Sequence, residues 1–214
     1  YNPTFNDGLD LTRPPPPPPK VLSGSGSCIR NCDPPKGQYA DLGTTNIGGT
    51  LTFAFWCNIH SVGNWHRLID FGNGSGSDNI IIAASEATNN KITVQGLVGN
   101  SVAFTINATS NVVYNTWMYV VLVLDENSNS ATLYINGTSN NTTTISGSVP
   151  ITSRTNSWIG RSNWSADDYL DGQIKSLNIW ERALSAGEIT GLYSKGRDYN
   201  LYNSSGTFVG RDFS

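Results

Sequence analysis

The chain has 214 residues and a formal net charge of -3, and only 14% of it is Asp, Glu, Lys or Arg. That length suits one all-β sandwich, and low charge with abundant Gly, Ser, Thr and Asn suits short strands joined by polar turns. No run of Lys or Arg is present to neutralise a phosphate backbone, which argues against nucleic acid as a partner, and no apolar stretch approaches the roughly 18 residues that cross a bilayer, so no membrane insertion by this segment is expected.

Residues 1–35 contain "RPPPPPPK", and a run of prolines favours a stiff polyproline II rod rising about 3.1 Å per residue. Two readings of this extended arm stand open: a linker from a preceding segment, or an arm that lies on a neighbouring subunit. The chain opens at Tyr1 without a signal-peptide pattern, so a processed or truncated N-terminus is expected. In "CIRNC", Cys28 and Cys32 are close enough for a small disulfide loop. Cys57 sits inside "LTFAFWCNI" and reads as a buried thiol behaving as a small hydrophobe. With His60 and His66 the only histidines, a zinc site lacks its ligands.

From Gly37 onward, short apolar runs alternate with Gly, Asn and Ser clusters. They predict strands at 39–42, 51–59, 67–71, 79–84, 91–97, 102–107, 117–124, 132–136, 157–160 and 173–180. In "WMYVVLVLD" both parities are apolar, so this strand should be covered on both faces, and two packed sheets follow. "YINGT" supplies an Asn136-Gly137 pair suited to a tight hairpin. Asn-X-Ser/Thr sequons begin at Asn73, Asn107, Asn136, Asn140, Asn141, Asn163 and Asn203, each a glycan acceptor if the chain is secreted.

The one helix signal lies near the end, in "ERALSAGEITGLYSKG". Ser185 and Glu188 form a Ser-X-X-Glu capping box, Leu184 and Ile189 flank it as a hydrophobic staple, and Gly196 offers a left-handed stop. Each device is worth on the order of 1 kcal/mol, enough together to fix a short helix that plugs an edge or end of the sandwich.

"KGQYADLG", "LTFAFWCNI", "RLIDFGNG", "NTWMYVVLVLD", "ATLYINGT" and "YLDGQIKSLNIWERALSAGEITGLY" follow one another in an order and spacing that resembles the LamG-like jelly rolls of the concanavalin A-like lectin/glucanase superfamily, over residues 36–196. The resemblance implies a two-sheet antiparallel jelly-roll sandwich with one short C-terminal helix, here preceded by the proline-rich arm and followed by a tail, 197–214. It also implies a non-catalytic module for glycan or protein binding in extracellular, cell-surface or viral proteins. Where many relatives carry an acidic pair after the Ile that follows Asp-Gly, this chain has Lys175 and Ser176. Lys175 shares strand parity with Leu177 and Ile179 in an unbroken strand, and an ammonium there disfavours a structural calcium. Asp167, Asp168 and Asp171 are the carboxylates left to gather around such an ion; no other cofactor is implied.

Catalysis finds little footing. Concanavalin A-like hydrolases place carboxylates on alternate residues of one strand, and no Glu-X-Asp-X-Glu occurs here; Asp125 and Glu126 are adjacent and read as a solvated hairpin loop. His60 and His66 flank "SVGNW" as exposed loop residues with no orienting partner. "GNGSGSDN" lacks the Lys and helix of a phosphate loop and reads as a turn.

Binding fits better. Trp65 and Trp164 occupy polar loops, "GNWHR" and "RSNWSADDY", where large aromatics can stack on sugar faces or anchor a protein, or fold back as lids on the core. His66, Arg161, Asn163, Asp167, Asp168 and Tyr169 complete the candidate ligand-binding set. Trp56, Trp117, Trp158 and Trp180 fall on strands and are assigned to core packing. The expected function is recognition or attachment at a cell or virus-particle surface, with glycan or protein as ligand. The alternative is a structural component of an assembly such as a viral capsid, whose arm and tail clamp neighbouring subunits.

Overall fold

The computed structural model describes residues 39–87, 89–199 and 201. The proline arm, the Cys28–Cys32 pair, Asn203 and the tail beyond Leu201 lie outside these described residues.

Thirteen strands and one helix follow in order among them: β1 Ala40–Asp41, β2 Thr45–Ile47, β3 Leu51–Ile59, β4 Arg67–Gly72, β5 Ile80–Ala83, β6 Thr93–Val98, β7 Ser101–Asn107, β8 Trp117–Asp125, β9 Ser130–Ile135, β10 Thr138–Thr144, β11 Thr152–Arg154, β12 Asn156–Ile159, β13 Gly172–Trp180 and α1 Ala186–Ser194. One sheet has the order β1-β12-β4-β5-β6-β7, the second β10-β9-β8-β3-β13, and β11-β2 form a small third ribbon. All pairings are antiparallel.

Period-2 alternation explains the layers. On β3, Leu51, Phe53, Phe55, Cys57 and Ile59 face inward, and on β8 Met118, Val120, Leu122 and Leu124 do the same. They meet Ile69, Phe71, Ile80, Ile82, Val94, Phe104 and Ile106 of the six-stranded sheet, with Phe53 and Phe71 edge to face at 5.6 Å. Cys57 is fully buried, and burial pushes its thiol up to about 12.

The second parity of β8, Tyr119, Val121 and Val123, is also buried, as the doubly apolar pattern predicts. Its cover is α1. Rather than plugging an edge or end, the helix lies over the outer face of the five-stranded sheet, where Ile189 and Leu192 pack on Ala54, Tyr119, Val121 and Trp180. The capping box forms in both directions, Leu184 and Ile189 are both buried beside it, and Gly196 adopts φ +79°. The correction has a physical cause: Thr52 Oγ1 donates to Arg182 O at 2.8 Å and accepts from Leu184 N at 3.1 Å, tying the start of the helix to the middle of the sheet. At the other side Thr190 Oγ1 donates to Gly137 O, and the Asn136-Gly137 turn has positive φ at both residues, as a tight hairpin requires.

Three further expectations change. Lys175 does not share a face with Leu177 and Ile179: β13 is bulged between Lys175 and Asn178, with Ser176 at φ +55°. The extra residue reverses the alternation, so Ile174, Leu177 and Ile179 pack on the core while Lys175 pairs with Asp198. Strands β2, β10 and β11 had no apolar signal; β10 is an edge strand of sequence TSNNTTT, mostly exposed. Trp56 and Trp180 do pack in an apolar layer, beneath the helix, but Trp117 and Trp158 are only half-buried, each with an arginine over its ring.

Candidate functional site

The helix covers the five-stranded sheet, and among the described residues it leaves the outer face of the six-stranded sheet to loops. Register fixes what that face presents: Asp41 pairs with Trp158, Trp158 with Asp70, Asp70 with Ile81, Ile81 with Gln95 and Gln95 with Thr105. These alternate with core residues such as Ile69 and Ile82, so they share the outward side.

Two loops rise beside this face, 60–66 between β3 and β4 and 160–171 between β12 and β13, and they are zipped together. Asn64 N donates to Asp168 Oδ2 at 2.8 Å and Asp168 N to Asn64 O at 2.9 Å. Ser61 Oγ donates to Asp171 Oδ2 at 2.5 Å, and His60 N to Asp171 O at 2.9 Å. The following Gly172 has no room for a side chain: a Cβ would stand 2.4 Å from Asn58 O. The Asp-Gly pair is thus a loop-to-strand clasp. His66 is buried rather than exposed, because the zipper closes over it: Nδ1 meets Ser61 O at 3.2 Å and Nε2 lies 3.8 Å from Asp168 Oδ2. His60 is half-buried, its Nδ1 3.6 Å from Asp171. Neither histidine is hydrogen-bonded to a hydroxyl among the described residues.

At the centre stands Arg67, 3% exposed. Its Nε donates to Asp70 Oδ2 at 3.3 Å, Nη1 to Trp65 O at 3.1 Å and Nη2 to Asp167 Oδ2 at 2.8 Å. Its guanidinium lies 4.8 Å from the Trp65 ring and 5.3 Å from the Trp164 ring, within cation–π range of both. The two rings pack over Ile81, Ala83 and Leu97, a small apolar patch on the outer face. They act as lids, on the outer surface of a sheet rather than on the main core. Trp65 reaches this place with φ +52°, a left-handed conformation that a bulky side chain rarely adopts, and such strain clusters where a side chain must be aimed.

Asp70 is fully buried. Besides Arg67 it accepts from Asn163 N at 2.9 Å, Asn163 Nδ2 at 2.9 Å and Asn79 Nδ2 at 2.8 Å. Burial pushes its carboxyl above the ordinary range, opposed by Arg67 and these amides. All four neighbouring groups are donors, so a proton on Asp70 would have no acceptor and the carboxylate form fits. Burial likewise lowers Arg67, opposed by Asp70 and Asp167.

A second aromatic group lies one strand over. The Arg161 guanidinium lies 4.0 Å from the Trp158 ring and 4.6 Å from the Tyr39 ring, and Tyr39 lies 5.9 Å from Trp158 and 6.1 Å from Tyr169.

The fold therefore divides the sequence candidates. Trp65, Asn163, Trp164 and Asp167 gather around the Arg67–Asp70 pair, His66 and Asp168 meet in the loop zipper, and Arg161 and Tyr169 join Tyr39 and Trp158. Arg67 and Asp70 went unnoticed in the sequence because "RLIDFG" reads as an ordinary strand; the signal was two opposite charges three residues apart inside an otherwise apolar run. Asp167, Asp168 and Asp171 hold three different partners, namely Arg67 with Ser162, Asn64 and Ser61. Among the described residues no three His, Cys, Asp or Glu side chains form one group. Of the sequon residues, Asn163 spends its amide on buried Asp70, and Asn73, Asn140 and Asn141 donate theirs to Ser153 O, Thr109 Oγ1 and Asn107 O. Asn136 is exposed at the hairpin, and Asn107 accepts from Thr93 Oγ1.

Two packed antiparallel sheets with an aromatic outer face define a lectin-like jelly roll. Residues 34–190 match the Laminin_G_3 model, and the chain belongs to that family of the concanavalin A-like lectin/glucanases superfamily. No curated protein matches the chain. Among solved structures it is similar to domain 4 of AbnA, a GH43 extracellular arabinanase from Geobacillus stearothermophilus in complex with arabinotriose, at 16% identity and TM-score 0.63, covering 82% of this chain and 86% of that one. The Ruminococcus gnavus IT-sialidase CBM40 bound to α2,3 sialyllactose matches at 16% identity and TM-score 0.58, covering 69% and 84%. The botulinum neurotoxin serotype G binding domain matches at 17% identity and TM-score 0.55; the chain covers only 40% of it. At such identities the likeness is one of fold. No helix among the described residues is long and apolar enough to cross a membrane.

Proposed function

We propose that this domain is a non-catalytic glycan-binding module, working outside the cell or at a surface, whose ligand lies on the outer face of the six-stranded sheet. The observation that carries this reading is the Trp65–Arg67–Trp164 cluster on the outer face of the six-stranded sheet, opposite the sheet that the helix covers. Arg67 spends all its hydrogen bonds internally, so it acts as a rigid wedge that fixes the angle of two half-buried rings. A sugar presents an apolar ring face bordered by hydroxyls, which suits a preset aromatic surface with polar neighbours. Such neighbours are at hand in Gln95, Thr105 and Asn107 on β6 and β7, all partly exposed. Similarity in fold to modules seen with arabinotriose and sialyllactose supports a sugar over a protein ligand.

A broad glycan array probed with the full chain tests this. Specific sugar signals that fall at least about tenfold for Trp164→Ala, with unchanged melting temperature, are expected. An array without signal, or a signal indifferent to Trp164→Ala, overturns the reading; in the second case a protein ligand for this face becomes the alternative to pursue.

A further inference from the structure

We infer that the Arg161–Trp158–Tyr39–Tyr169 cluster is a subsite for the carboxylate of an acidic sugar, a sialic or uronic acid, beside the aromatic pair of the proposed glycan face. The inference rests on the glycan-binding reading and adds to it the chemical class of the ligand.

Arg161 differs from every other arginine among the described residues. Arg67, Arg154, Arg182 and Arg197 all donate hydrogen bonds. Arg161 makes neither a hydrogen bond nor an ion pair with any described residue, and its contacts are the two ring faces. None of its N–H groups is hydrogen-bonded to a described residue, and a guanidinium with free N–H groups matches a carboxylate with two parallel bonds.

A second observation points the same way. Trp158 Nε1 is buried and has no hydrogen-bond partner among the described residues, although a buried indole N–H ordinarily finds an acceptor. Tyr39 and Tyr169 are 42% and 37% exposed and bring two hydroxyls to the cluster. The groups without a partner among the described residues are thus a guanidinium, a buried indole N–H and two phenols, a set rich in donors. Of the neighbouring carboxylates, Asp41 opposes Trp158 in register and accepts from Gly43 N, and Asp168 is held by Asn64; neither is bonded to Arg161. What is missing is an acceptor, and a negative one.

Position links the two sites. Trp158 pairs directly with Asp70, which holds Arg67, so the clusters lie on adjacent strands about 4.8 Å apart. An oligosaccharide laid across the strands can stack a neutral residue by Trp164 while an acidic residue reaches Arg161.

The test uses matched probes that differ only in charge: oligogalacturonides against their methyl esters, and 3′-sialyllactose against lactose, titrated into the full chain by calorimetry. The expected result is at least about tenfold tighter binding of one acidic probe than of its neutral counterpart, in keeping with a charge-assisted paired hydrogen bond. Arg161→Gln should erase that preference, and Arg161→Lys, which keeps the charge but not the fork, should restore only part of it. Because Arg161 has no hydrogen bond or ion pair with a described residue and loses only its ring contacts, both variants should stay folded and lose at most a few degrees of melting temperature. Neutral sugars bound with no preference for acid, or a preference that survives Arg161→Gln, would overturn the subsite while leaving the glycan module standing. A chain that binds no sugar at all would overturn both.

Discussion

Replacing Asp70 with Asn is the sharpest test of how this face is built. The carboxylate is fully buried and accepts four hydrogen bonds, one from Arg67, which is itself 3% exposed. An amide keeps one acceptor but turns the other position into a donor, facing groups that are themselves donors. It also strips Arg67 of one of two counter-charges, leaving Asp167, which is shared with Ser162. Breaking a buried pair from one side costs about 3–5 kcal/mol. In a domain of this size each kcal/mol moves the midpoint by about 2–4 °C, so a loss of roughly 6–20 °C is expected. Urea unfolding followed by tryptophan fluorescence supplies the free energy, and the same curves for Arg67→Met and the double variant supply the coupling. The double variant should recover part of the single-variant loss, because two apolar or neutral groups leave no stranded charge. A single-variant loss below about 1 kcal/mol, or strictly additive losses, would refute the claim that Arg67 and Asp70 form the keystone under the tryptophans.

Four other outcomes follow from the same geometry. Ser185→Ala should cost about 1 kcal/mol of unfolding free energy by removing the cap on α1. The carboxyl of Glu188 is pushed up by burial, but the Arg182 and Ser185 donors outweigh this and hold it below its ordinary value of 4.5. Its contribution is complete above pH 4.5 and lost as pH falls below it, so Glu188→Gln should flatten the acid side of the stability profile. Gly96→Ala should destabilise by about 1–3 kcal/mol, since the added Cβ would stand 2.2 Å from the buried Phe104 ring. Chelation by EDTA should leave the melting temperature unchanged, since Asp167, Asp168 and Asp171 already serve Arg67, Asn64 and Ser61; a drop reversed by calcium would contradict that assignment.

How far the amino-acid sequence reached depended on the range of the interaction. Period-2 alternation and apolar runs are local, and they located β3, β8 and β13 to within a residue or so. The capping box, staple and Gly196 stop are likewise local and placed α1. Strand β10 was invisible because an edge strand needs no apolar face, and β2 and β11 because three-residue ribbons carry too few positions to show a period. The bulge at Ser176 escaped because a positive φ at a serine has no sequence mark, yet it alone turned Lys175 away from the core.

By itself the sequence determined that two antiparallel layers form, that β8 is covered on both sides and that a capped helix follows the last strand, since alternation and caps act between residues near one another. Only the tertiary structure decided which outer face the helix covers, and therefore which face the proposed ligand would meet. It alone also brought Trp65 and Trp164, about a hundred residues apart, onto one buried guanidinium. That convergence depends on strand register and on a hydrogen-bonded zipper between two distant loops, and neither leaves a trace in any local stretch of the chain.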